Sequence, residues 1–275
     1  MCESILIVIL SREAGKNLCA TVGDYSHAKH YPILEFDPAP EAIIQPMDVP
    51  EQCVICFFQE VIATVVKERN ASVITSHRWE DAAHPVYEIE IDGKRLAFVH
   101  PGVGAPMAAG ILEETVALGF NKFIACGSAG VLNKEIAVGH IVVPSVAVRD
   151  EGTSYHYLPA AREVSASPEG VAAVEQALKQ RGVPYLVGKT WTTDAPYRET
   201  HGKVALCKSE GCVTAEMEAA AFFAVAQFRG VTFAQMLYGG DDVSGSGEWD
   251  SRGWHSRAEV RENLFWLAAD ACLRL

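Results

Sequence analysis

The chain has 275 residues, 49% of them hydrophobic and 21% charged, so it can bury a sizeable core without needing a partner or a disulfide framework merely to fold. A formal net charge of −12 argues against the broad basic surface that nucleic-acid backbones and anionic membranes require, although a local arginine cluster can still hold a small anion. The apolar runs fall far short of the roughly 18 residues that cross a bilayer, and the run 5–10 follows Glu3 instead of a basic region, so neither a membrane span nor a signal peptide is expected. Eight cysteines without framework spacing fit the reduced thiols of a cytoplasmic protein.

No Gly/Ser-rich, Pro-rich or charge-run linker divides the chain, which favours one domain over residues 1–275, with 1–50 as an N-terminal extension of unclear role. A strand is expected over Ile5–Leu10, followed by a Pro-punctuated stretch over Tyr31–Pro50. Next come strands over Cys53–Phe58, Ser72–Thr75, Val86–Ile91 and Leu96–His100, with Asp92-Gly93 as a hairpin turn. Cys53 and Cys56 have C-x-x-C spacing, but a strand would point their sulfurs to opposite faces, the arrangement of core thiols and not of a metal or redox site. Further strands are predicted over Lys122–Cys126, Ile141–Val148, Leu186–Thr190 and Thr232–Tyr238. Helices are predicted over Glu60–Arg69, Pro106–Leu118, Pro168–Arg181, Glu216–Phe228 and Ser256–Leu273. Pro106 and Pro168 stand where first-turn prolines are tolerated, and Gly119, Gly182 and Gly230 where helices stop. The alternation defines an α/β fold.

Two glycine-rich segments follow apolar strands: Gly102-Val103-Gly104-Ala105-Pro106 and Gly127-Ser128-Ala129-Gly130. Both are expected as tight turns at carboxyl ends of strands, the edge where open α/β sheets bind ligands through backbone N–H groups. Gly102-x-Gly104 lacks the third glycine of a dinucleotide fingerprint, since Met107 stands there.

Glu216 and Glu218 flank Met217 in Ala215-Glu216-Met217-Glu218-Ala219-Ala220, at an expected helix start where acidic residues suit the dipole. Two apart on a helix, the carboxylates diverge, so at most one faces a ligand directly. Next to alanines and ahead of Phe222 and Phe223, such a carboxylate needs a hydrogen-bonding partner, and sugar hydroxyls are a natural one.

In this order and spacing, the two glycine segments, the Glu-Met-Glu segment and the late Asp241-Asp242 resemble the nucleoside phosphorylase family that includes uridine phosphorylase, hexameric purine nucleoside phosphorylase and the methylthioadenosine nucleosidases. The resemblance implies a single-domain, three-layer α/β/α core over 51–275 with a mixed, partly barrel-like sheet. It further implies homo-oligomers, from dimer to hexamer, with active sites shared between subunits. It implies cleavage of a nucleoside's N-glycosidic bond with phosphate as co-substrate and no metal or organic cofactor. Carried over by position, Glu218 would bind the ribose hydroxyls, Met217 would pack on the sugar, and Gly104, Glu216 and Ser128 would lie at the substrate, Ser128 also meeting phosphate. Arg78 would reach a neighbouring subunit's phosphate through its rigid donor fork. Asp241 would protonate the departing base, which requires a raised pKa that Asp242 could help supply. Arg198, in 191–200, could serve in base recognition.

The chain departs from the phosphorylase pattern at two phosphate contacts. Phe57-Phe58-Gln59-Glu60 replaces a Gly-Asp-Pro-x-Arg loop, and Ala125 replaces an arginine. Each lost charge-assisted contact is worth roughly 1.5–3 kcal/mol. The hydrolytic nucleosidases also lack that arginine and carry a glutamate after the first strand, close to Glu60, so water is the alternative acceptor. A non-catalytic nucleoside-binding member is the third possibility.

Overall fold

The alternation of buried residues along β1 (Gln52–Cys56) sorts the sheet into two faces, with Cys53 and Ile55 in one core cluster and Val54 and Cys56 in the other. The Cys-x-x-Cys sulfurs therefore diverge, as a strand requires, and both residues are fully buried. The structure is a computed structural model whose described residues are 44–245 and 249–275; the expected strand at Ile5–Leu10 and the first part of the Tyr31–Pro50 stretch lie outside them. The rest of that stretch runs beside the sheet, where Ile44 and Val49 pack against the core and the Met47 N–H donates to Leu118 O.

After β1, α1 (Gln59–Arg69) leads into the antiparallel run β2 (Ser72–Arg78), β3 (Ala83–Ile91) and β4 (Lys94–Val99). Asp92 and Gly93, both at positive φ, make the expected β3–β4 turn. Then follow α2 (Ala105–Leu118), β5 (Lys122–Val131), β6 (Ile141–Asp150), the short β7 (Glu163–Ser165), α3 (Pro168–Gln180), β8 (Tyr185–Thr193), α4 (His201–Ser209), β9 (Cys212–Glu216), α5 (Ala219–Arg229), β10 (Thr232–Asp242) and α6 (Ala258–Cys272). Pro106 and Pro168 fall in first turns and Gly119 and Gly230 end their helices, as the sequence indicates.

The sheet order is β10-β6-β8-β9-β5-β1-β4-β3-β2, and β10 also pairs with β5. That extra pairing closes five strands into a ring, with β1, β4, β3 and β2 extending from it as a wing. Parallel and antiparallel pairs are mixed. Helices α2 and α5 bury their apolar sides on one face, and α1, α3 and α6 on the other. The fold is therefore the expected three-layer α/β/α with a mixed, partly barrel-like sheet. α5 is buried along Ala219–Val225, and Phe222 stacks on Phe233 of β10 at 4.7 Å between centroids, a pairing worth about 0.5–1.5 kcal/mol beyond area burial. No helix among the described residues is long and apolar enough to cross a membrane.

Two expectations are corrected, and three elements were not foreseen. The helix expected from Glu216 starts at Ala219, because Ala215 and Glu216 end β9, paired with Trp191 and Thr192 of β8. Gly127–Gly130 is not a turn. It continues β5, pairing with Leu237, Tyr238 and Gly239 of β10 and, at Gly130, with Ala215 of β9. Side chains would obstruct this crowded strand, since a Cβ on Gly127 would lie 3.1 Å from the Phe57 ring and one on Gly130 2.9 Å from Val243. Finally, α4, β7 and β9 carry too few periodic positions to stand out in the sequence, although Thr200 caps α4 by accepting from Lys203 N–H.

Candidate active site

The Glu-Met-Glu segment is the hinge from β9 into α5, and its two carboxylates have separate tasks. Glu216 Oε2 accepts the N–H groups of Glu218 and Ala219 at 2.7 and 2.6 Å, while Oε1 accepts the Thr192 hydroxyl at 2.6 Å. It thus caps the start of α5, where helix N–H groups lack intrahelical partners. Burial raises its pKa and these hydrogen bonds pull it back. With both oxygens on protein donors, Glu216 lies beneath the site as a support.

Glu218 turns the other way. Its Oε1 accepts the Gly104 N–H at 2.6 Å, joining the β9–α5 hinge to the loop between β4 and α2. The residue is 6% exposed, and burial followed by the charge of Glu216 pushes its pKa up to about 8. Gly104 sits at φ 91, a conformation that L side chains rarely adopt, and nothing lies within 4 Å of where a Cβ would be. Met217, between the two acids, is half-buried.

The loop leading to Gly104 is fixed from below. Gly102, at φ 74, donates its N–H to His100 Nδ1 at 3.0 Å, and burial with the nearby His84 charge lowers the His100 pKa, so the ring accepts as neutral imidazole. His84 Nδ1 lies 3.2 Å from His100 O and its Nε2 3.2 Å from Asp81 Oδ2. A cavity of about 510 Å³ opens beside this loop, lined by Gln59, His84, His100, Gly102, Val103 and Met107. Phe57 stands edge-on to both His100 and Phe222, forming an apolar floor next to Gly127.

On the far side of β5, β10 delivers Asp241. Its Oδ1 lies 3.4 Å from where a Cβ on Gly130 would be, so it rests against the same glycine strand that carries the half-buried Ser128. Its Oδ2 accepts the Trp249 indole N–H at 2.8 Å. Next along β10 is Asp242. Burial would raise its pKa, but the Ser244 hydrogen bonds hold it low. Glu199, half-buried after the Pro196–Arg198 turn, has its pKa pushed up to about 7, by burial first and then by the charge of Asp241. The sequence reading missed Glu199, Trp249 and His100.

Glu218, Gly104, Ser128 and Asp241 thus collect around one glycine strand, with Met217 and Glu216 attached through the hinge. Arg198 is exposed on the short helical turn Pro196–Arg198, next to Glu199. Arg78 does not join them within one chain. It is exposed at the end of edge strand β2, with β3, β4 and β1 between it and β5. Ala125 is fully buried in the core, and Glu60 is ion-paired with Arg261 on α6.

Carboxylates carried just past β9 and near the end of β10 flank a shared glycine strand, an arrangement that can hold a small ligand. The sequence model of the phosphorylase superfamily matches residues 51–270, and the chain belongs to that family. A guanosine phosphorylase from Halorubrum lacusprofundi is 31% identical over 156 residues, covering 55% of this chain and 63% of that protein. A uridine phosphorylase from Escherichia coli is 27% identical over 172 residues, covering 58% and 66%. The chain thus spans less than two thirds of the length of these relatives. Among solved structures, a uridine phosphorylase from Vibrio fischeri superposes with a TM-score of 0.72 at 21% identity, covering 88% of this chain and 99% of that one. An AMP nucleosidase from Bacteroides thetaiotaomicron superposes with a TM-score of 0.67 at 21% identity, covering 82% and 87%. These two share the fold.

Proposed function

We propose that the protein cleaves the N-glycosidic bond of a purine or pyrimidine nucleoside, with phosphate as acceptor, in a homo-oligomer whose subunits share active sites. The observation that carries this is the Glu218–Gly104 contact: a buried carboxyl held by the Gly104 and Met217 N–H groups and drawn up to about 8 keeps acceptor positions to spare, and a ribose diol fills them. As the glycosidic bond lengthens, the ribose gains oxocarbenium character. Glu218 holds the hydroxyls, Met217 packs on the sugar, Ser128 faces the acceptor, and Asp241 donates a proton to the departing base. Arg78, exposed on its own chain, would meet phosphate in a neighbouring subunit's site. Relatives named guanosine and uridine phosphorylase support the reaction class, and free, buried cysteines support a reducing, cytoplasmic setting.

A second reading, hydrolysis, is favoured by Ala125, whose buried position leaves no cation where the phosphorylases keep one, and by the likeness to an AMP nucleosidase. The Glu60–Arg261 ion pair, which occupies the carboxylate that would activate water, speaks against it. A nucleoside panel incubated with and without phosphate separates the two. Phosphorolysis requires phosphate and yields a pentose 1-phosphate, whereas base release without phosphate overturns it. Glu218→Ala should lower turnover by orders of magnitude in either case, and near-wild-type kinetics would refute the ribose role.

A further inference from the structure

The edge strand β2 ends in residues whose side chains part to the two sides of the chain. His77 is buried, Arg78 is exposed, and Trp79 lies back on α2, where a Cβ on Gly110 would be 2.3 Å from its ring. Both inward side chains meet one carboxyl group. Glu114 Oε2 lies 2.8 Å from His77 Nδ1, and Glu114 Oε1 accepts the Trp79 indole N–H at 3.1 Å. The Trp79 main-chain N–H donates to Ala82 O, closing the turn that follows. Among the described residues β2 has a strand neighbour on one side only, β3, so these two contacts are what hold the end of the strand against the helix. Arg78 stands between the two anchored residues and therefore projects away from its own chain.

The donors fix the bonding order in this clamp. The Thr115 hydroxyl spends its hydrogen on Ile111 O at 2.6 Å, so toward His77 Nε2, 3.2 Å away, it can only accept, and Nε2 carries a ring hydrogen. His77 Nδ1 then faces Glu114 Oε2 with one proton between them, as imidazolium against carboxylate or imidazole against carboxylic acid. Burial, and next the charge of His84, lowers the His77 pKa to about 4, while burial raises that of Glu114 against the Trp79 hydrogen bond, so the neutral form is favoured. The other charges nearby are engaged or turned outward: His84, opposite His77 on β3, reaches Asp81, Glu113 holds Arg229, and Glu80 is exposed. We infer that Glu114, through His77 and Trp79, positions Arg78, pinning both of its neighbours to α2 with a single shared proton so that the guanidinium is presented outward to an anion. This rests on the proposed phosphate role of Arg78, and it makes Glu114 a positioning residue that touches no ligand. An arginine on a frayed strand end samples many directions that it must give up on binding, whereas one flanked by two anchors has fewer to lose.

The test is a double-mutant cycle on the affinity for inorganic phosphate, read by phosphorus NMR titration of the full chain. Glu114→Leu should weaken phosphate roughly tenfold, and Glu114→Leu combined with Arg78→Ala should bind no more weakly than Arg78→Ala alone, since without the guanidinium nothing is left to position. Additive losses, or an unchanged affinity in Glu114→Leu, overturn the assignment, and so does failure of the wild type to bind phosphate. Glu114→Gln should stay within about twofold of wild type, because its amide N–H supplies the hydrogen that His77 Nδ1 accepts and its carbonyl accepts the Trp79 indole. A loss as large as that of Glu114→Leu would show that no shared proton holds the clamp. Where the same proteins turn over a nucleoside, Glu114→Leu should raise the phosphate KM and leave kcat at saturating phosphate nearly unchanged. Independently of any ligand, Glu114→Leu should speed amide hydrogen exchange across 77–82 roughly tenfold and leave β5 as in wild type, and Glu114→Gln should do neither. Unchanged exchange across 77–82 refutes the clamp whatever binds. If the phosphate cycle and the exchange both come out as expected while no nucleoside is cleaved, the clamp stands and the nucleoside reading falls.

Discussion

Replacing Glu218 with glutamine should make the ligand-free protein more stable while removing its activity, and the size of the gain should depend on pH. In the folded chain the carboxyl is raised from the ordinary 4.5 to about 8 by burial and by Glu216. A carboxyl raised on folding contributes fully below its unfolded pKa, and that contribution is lost as pH rises toward the folded value, because the unfolded chain releases the proton first. At 1.36 kcal/mol per pH unit, a rise from 4.5 to about 8 amounts to roughly 5 kcal/mol at most. Glutamine keeps a carbonyl to accept the Gly104 N–H and does not ionise. Denaturant unfolding of both proteins at pH 5, 7 and 9 should therefore show Glu218→Gln gaining about 2–5 kcal/mol on wild type between pH 5 and pH 9. Stability curves that run parallel within about 0.5 kcal/mol across that range would show that Glu218 is not held in a desolvated, like-charged setting, and the ribose argument would lose its physical basis.

Thr192→Val keeps the shape of the side chain but removes the hydroxyl that donates to Glu216 and accepts from Ala220 N–H; we expect a loss of about 2–4 kcal/mol in unfolding free energy, with a weaker KM as the hinge loosens. Gly104→Ala should cost about 1–2 kcal/mol for its positive φ alone, and Gly102→Ala more, because its Cβ would lie 2.5 Å from Met107 Cγ; equal thermal shifts would contradict this ordering. Cys53 and Cys56 should resist alkylation in the native protein and react only on unfolding, as mass spectrometry of labelled peptides can check. Co-refolding inactive Glu218→Ala with inactive Arg78→Ala should restore activity if sites are shared between subunits, since a mixed pair rebuilds one intact site, whereas inactivity of the mixture would confine each site to one chain.

The core was legible where apolar residues repeat: Val54, Ile55 and Cys56 declare β1, and the Pro-to-Gly bounds of α2 are visible in the chain. The site was harder to read, for two reasons. Ala-Glu-Met-Glu-Ala-Ala has strong helix propensity, yet β8 pairs with its first residues and extends them as strand, so tertiary pairing overrides the local preference. Gly127–Gly130 has the composition of a turn, and only three-dimensional crowding from Phe57, Val243 and β10 shows why small residues are needed in a continuous strand. Glu218 could be singled out because an acid among alanines is costly to bury. Glu199 gave no such signal, since an acid before a capping threonine looks like ordinary surface loop.

The continuity of β5 has a further consequence. β9 brings Glu218 in along one edge of that strand and β10 brings Asp241 in along the other. The two strands that lead to these acids are therefore spaced by the sheet's own lattice, two interstrand steps of about 4.8 Å each, with Glu218 two residues past the end of β9 and Asp241 in the register shift between Gly239 and Asp242. Loops can drift by ångströms as sequences change, but a hydrogen-bonded ladder cannot. On the proposed reading, these paired strands set the spacing between the chain segments that carry the sugar carboxylate and the base acid, while the flanking loops are free to change.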